Sequence, residues 1–132
     1  MEAILEAPLA PSKTRRVAAI ALAALPVAFL TFDAAMKIAL VAPVVTASER
    51  IGWPIDTLRP LGLVLLACVA LYVAPRTSVL GAVLLTGWLG GAVATHVRLG
   101  DPLFSHVLAP VYVAIMLWGS LRLRDERVRR AL

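Results

Sequence analysis

At 132 residues, 61% hydrophobic and with a mean hydropathy of +0.88, the chain carries more apolar surface than one small soluble domain could hide. Its net charge of +5 does not make it a nucleic-acid binder, because the basic residues flank apolar runs, with no aromatic interleaving and no soluble recognition domain. The lone cysteine, Cys68, excludes an intrachain disulfide and dithiol redox chemistry, and its mid-span position suits a small packing residue.

Residues 1–16 are expected to form a cytoplasmic tail that ends in Lys13, Arg15 and Arg16. The apolar stretch behind them runs on without a clear cleavage site, so the segment reads as an uncleaved anchor rather than a signal peptide. The first span is predicted over residues 17–41. Within it Pro26 cannot donate to the Leu22 carbonyl, which predicts a kink. In the loop 42–56, residues 44–51 fit a short interfacial helix, and Trp53 fits an anchor at headgroup level. A second span follows over 57–74, with Asp56 as N-cap and Pro60 tolerated in the first turn. Pro75 and Arg76 turn the chain into a third span over 77–97. Gly100, Asp101 and Pro102 turn it again into a fourth over 103–121, and residues 122–132 form a basic cytoplasmic tail.

Residues 17–121 thus form one membrane domain of four spans, each near the ~20 residues that cross the hydrocarbon. Short connections make consecutive helices antiparallel neighbours, so the expected fold is all-α: an integral membrane up-down-up-down four-helix bundle. One set of ends carries Lys13, Arg15, Arg16, Arg76, Arg122, Arg124, Arg127, Arg129 and Arg130; the other carries Arg50, Arg59 and Arg98. That imbalance places both termini in the cytoplasm, against anionic lipid headgroups of the cell membrane.

Charges inside a span are costly and are kept where they are paired, buried in protein or used. Asp33 and Lys37 fall roughly 24 and 30 Å along the first span, and His96 roughly 28 Å along the third. Arg98 and His106 follow at the same level, so these five residues from three helices share one depth near the outer face. Pro110 leaves the His106 carbonyl without its helical donor there. Trp88 and Tyr112 are candidates to line an apolar slot for a flat lipophilic molecule. Each residue also has a plain structural use. Asp33 and Lys37, four apart, can neutralise each other. His96 and His106 can serve as interfacial hydrogen-bonding residues, and Arg98 can reach to water. Gly87-x-x-x-Gly91, continued by Thr95, predicts close helix packing. The chain holds no catalytic triad, no Glu-x-x-His pair, no metal set and no phosphate loop. Haem ligation by His96 and His106 is a lesser alternative.

The segment from Pro75 to Pro102, with Thr86-Gly-Trp-Leu-Gly-Gly and Thr95-His-Val-Arg-Leu-Gly-Asp at its heart, resembles the DoxX-like membrane protein family. Asp33-x-x-Met36-Lys37, Gly52-Trp-Pro54, Pro110-Val-Tyr112 and the closing Leu-Arg-Asp125 extend the similarity over nearly the whole chain. The resemblance implies four membrane helices and a link to membrane redox complexes, since the family is named after a small subunit of a quinol oxidase. It also implies a Glu in the second span where Leu65 stands here, a departure that removes a proton-handling group.

Three functions compete on these residues. The preferred one is an accessory subunit or binder of a lipophilic molecule, a quinone first among candidates, with Asp33, Lys37, His96 and Arg98 as hydrogen-bonding groups. An oligomeric proton or solute transport module would use Asp33, Lys37 and His96 as relays, and would need a homo-oligomer because four short spans make a poor pathway. A ligand-free scaffold would use the same residues to fix helix packing. An autonomous enzyme is the least favoured reading.

Overall fold

The computed structural model describes residues 11–132, so most of the expected N-terminal tail lies outside the described residues. Six α-helices follow in order: α1 (Lys13–Ala39), α2 (Ala42–Ile51), α3 (Leu58–Val73), α4 (Ser78–Leu99), α5 (Ala109–Arg124) and α6 (Glu126–Ala131). A 3-10 turn, Ile55–Thr57, leads into α3, and a π-turn, Leu103–Val107, leads into α5. With their lead-in turns, α3 and α5 join α1 and α4 as four helices long and apolar enough to cross a membrane.

The ends of these helices follow local capping chemistry more than apolar content. Helix α1 starts four residues before the predicted span, because the Ser12 hydroxyl accepts the Arg15 amide at 3.3 Å. Asp56 does not cap α3; it lies in the 3-10 turn, and Thr57 takes the N-cap position with its hydroxyl turned to the Pro54 carbonyl at 2.6 Å. Helices α2 and α4 end at Gly52 (φ +84°) and Gly100 (φ +67°), both in the left-handed region that glycine adopts without strain. The fourth span is not one regular helix. Between Pro102 and Pro110 the Val107 and Leu108 amides reach back five residues, to the carbonyls of Pro102 and Leu103, before α5 begins.

Helices α1 and α4 each pack against both α3 and α5. Leu30, Leu65, Tyr72, Leu85, Leu117 and Leu121 are almost wholly buried between them, with Cys68 among the buried core residues. Polar ties join the helices around this core. Ser120 Oγ donates to the Ala19 carbonyl at 2.7 Å, Tyr72 Oη to the Leu117 carbonyl at 2.7 Å, and Trp118 Nε1 to Thr86 Oγ at 2.8 Å. The outer surface is equally apolar, with Ile20, Phe29, Phe32, Val83, Phe104 and Ile115 exposed. In water such a surface would aggregate, whereas hydrocarbon solvates it at no cost.

Close backbone approach occurs at two glycines outside the predicted stripe. A Cβ on Gly81 would lie 2.2 Å from the Tyr72 nitrogen where α3 and α4 meet. One on Gly62 would lie 2.8 Å from the Ala34 carbonyl where α1 meets α3. Gly87, Gly90 and Gly91, by contrast, face open space, so the Gly87-x-x-x-Gly91 stripe packs against no other helix among the described residues. Within residues 122–132 the chain forms the short helix α6. Asp125 caps α6, accepting the Arg127 amide at 2.9 Å, and Val128 is buried against the core.

Candidate functional site

The turn after α4 organises the polar end of the molecule. With Gly100 in the left-handed region, the chain doubles back and the Asp101 amide donates to the His96 carbonyl at 3.1 Å. The Asp101 side chain is thereby held against the last turn of α4, where Oδ2 lies 2.7 Å from His96 Nδ1. Its other oxygen accepts Arg50 Nη2 of α2 at 2.8 Å, and the carboxylate is only 9% exposed. The hydrogen bond from His96 is the main influence holding the Asp101 carboxyl below its ordinary range; partial burial opposes it, and the charge of Arg50 adds to it.

A carboxylate can only accept, so His96 Nδ1 carries a proton and donates it to Asp101. In neutral His96 this fixes Nε2 as a lone-pair acceptor; in the charged form Nε2 becomes a second donor. His106, in the π-turn, meets the His96 ring edge-to-face with centroids 5.7 Å apart and an interplanar angle of 69°. Ser105 Oγ lies 2.8 Å from His106 Nδ1. Arg98 points to α2 instead, donating to the Ile51 carbonyl at 2.6 Å and tying the end of α2 to α4.

The structure therefore brings His96 and His106 together and sets Arg98 beside them as a brace. Asp33 and Lys37 form their own ion pair at 2.5 Å along α1, and Lys37 also lies against Gly62 of α3. No hydrogen bond or ion pair joins that pair to the histidine set among the described residues. Trp88 lies eight residues before His96 on α4, about 12 Å along the helix, and packs half-buried against the core. Tyr112 is 46% exposed on α5. Leu65 is fully buried in the core cluster on α3, where it supplies no carboxyl group.

Sequence reasoning passed over Asp101 and Arg50, the two residues that complete the histidine set. Gly100 was a usable signal for Asp101, since a glycine just past a helix sends the next residue back over its last turn. Arg50 is 51 residues away from Asp101, and no local pattern announces that contact.

A family model described as the DoxX-like family matches residues 21–120, from α1 to near the end of α5. The chain belongs to the DoxX-like family. Family and helices together make it a small multi-pass integral membrane protein. Neither a curated protein nor a solved structure matches it.

Proposed function

We propose that this DoxX-like protein binds a lipophilic carbonyl compound, a quinone in the first instance, at the polar end built by His96, Asp101 and His106. The observation that carries this reading is the carboxylate-oriented imidazole: Asp101 fixes His96 Nδ1 at 2.7 Å and leaves Nε2 to a partner. Beside a bilayer, an oriented imidazole can donate to a quinone carbonyl or accept from a quinol hydroxyl, while the apolar helix faces admit a lipophilic body. His106, in edge contact with His96, supplies a second imidazole at the same place. Asp33 and Lys37 contribute as a neutralised pair that steadies α1 against α3.

In this reading the four long helices run up-down-up-down with both termini in the cytoplasm, and the histidine end lies near the outer face. The arginine-rich end meets anionic lipid at the inner face. The protein serves as an accessory subunit of a membrane oxidoreductase assembly, holding a ligand and performing no reaction of its own.

Mass spectrometry of small molecules extracted from the detergent-purified protein tests the reading. A quinone retained by the wild type and lost from His96→Ala is the expected result. An extract with no quinone in either protein, and none taken up on titration with short-chain analogues, would reject it. A scaffold without ligand is the second reading, favoured by the mutual pairing of Asp33 with Lys37 and of Arg50 with Asp101. It predicts that His96→Ala lowers thermal stability while the extract stays empty.

A further inference from the structure

The opposite end of the molecule carries a feature that quinone binding does not use. An open groove of about 580 Å³ lies between the start of α4, the lower part of α5 and α6. Val79, Trp118, Val128, Ala131 and Leu132 form its walls, and Arg127 stands among them as the single charged side chain. Its volume lies within the roughly 300–1,000 Å³ of small-molecule sites. Arg127 gives Nε and Nη2 to Asp125, at 3.3 and 3.1 Å, which leaves the Nη1 donors for another acceptor. Charge at this end is one-sided. Over residues 75–132 at this end, the side chains of Arg76, Arg122, Arg127, Arg129 and Arg130 are set against those of Asp125 and Glu126, while Arg124 turns inward onto the Tyr72 carbonyl and ring. Glu126 is already shared by Arg129 and Arg130.

We infer that this groove seats one acyl chain of an anionic phospholipid, whose phosphate is held by Arg127. An apolar trough explains the chain and the arginine-rich surface explains the negative headgroup, to which Arg127 offers its remaining Nη1 donors. A zwitterionic lipid would fill the trough equally well but would gain little from the arginines. The inference rests on placing the arginine-rich end at an anionic leaflet; it does not depend on the histidine end.

Trp118 lines the groove and reports on it directly. With Trp53→Phe and Trp88→Phe in place, its fluorescence is the only tryptophan signal. The full chain is reconstituted in vesicles mixing phosphatidylglycerol with phosphatidylcholine, with bromine on the acyl chains of one lipid or the other. The expected result is stronger quenching when phosphatidylglycerol carries the bromine, with that preference weakened roughly fivefold by Arg127→Gln or by high salt. Ala131→Leu, which narrows the groove without touching charge, is expected to reduce quenching by either lipid. Equal quenching by the two brominated lipids would overturn the inference. Quenching that appears only after residues 1–10 are removed would give the groove to the chain's own N-terminal segment, and would overturn it too.

Discussion

His96 and Asp101 show how a residue's role is set by its neighbours rather than its type. Alone, an imidazole near a helix end is an ordinary interfacial group; held by a carboxylate that is 9% exposed, it has one fixed tautomer and one committed face. The pairing also predicts an acid dependence. The folded Asp101 carboxyl lies below its unfolded value, so its stabilisation is fully present above the ordinary ~3.9 and fades as pH falls through the lowered value. Thermal melts in detergent should therefore fall more steeply for the wild type than for Asp101→Asn below about pH 4. Parallel curves would show that the pairing contributes nothing to folding. The histidines are visible in the sequence, because polar residues at the edges of apolar runs mark themselves. Their carboxylate partner is not, because it depends on how a glycine turns the chain.

At the level of elements, the four spans were plain from apolar run length, since a bilayer demands about 20 such residues whatever their order. What escaped was decided by single atoms. A serine hydroxyl lengthened α1, a five-residue pairing reshaped the entry to α5, and the basic C-terminal segment folded into α6 under an aspartate cap. The glycines make the same point. A Gly-x-x-x-Gly spacing promised close packing, yet the tight approaches occur at Gly62 and Gly81, which belong to no such repeat. Gly81→Ala is expected to destabilise by about 1–3 kcal/mol or more, because the new methyl meets the Tyr72 backbone, which has no rotamer to yield. Gly87→Ala is expected to cost nothing and to gain up to ~1 kcal/mol of helix propensity. Equal melting temperatures for the two variants would contradict the packing described for α3 and α4.

Across the whole molecule, charged side chains gather toward the two ends and the middle is an apolar core. Histidines, Asp101 and the α2 brace gather at one end; arginines and an apolar groove gather at the other; Leu30, Leu65, Leu85 and Leu117 fill the space between. This division is legible in outline, since the basic residues sort by the span ends they flank and the polar residues by their distance along the spans. Which polar groups touch is not legible, because contacts between helices 50 residues apart leave no local pattern. The central claim is that His96 presents a free ring nitrogen to a bound carbonyl compound. With only two histidines in the chain, nitrogen NMR of protein labelled with ¹⁵N-histidine gives signals from His96 and His106 alone. Titration with a short-chain quinone analogue should shift the Nε2 resonance of His96 in a saturable way and leave the Asp101-bound Nδ1 close to its starting position. Histidine resonances that stay fixed up to the solubility limit of the analogue would contradict the account.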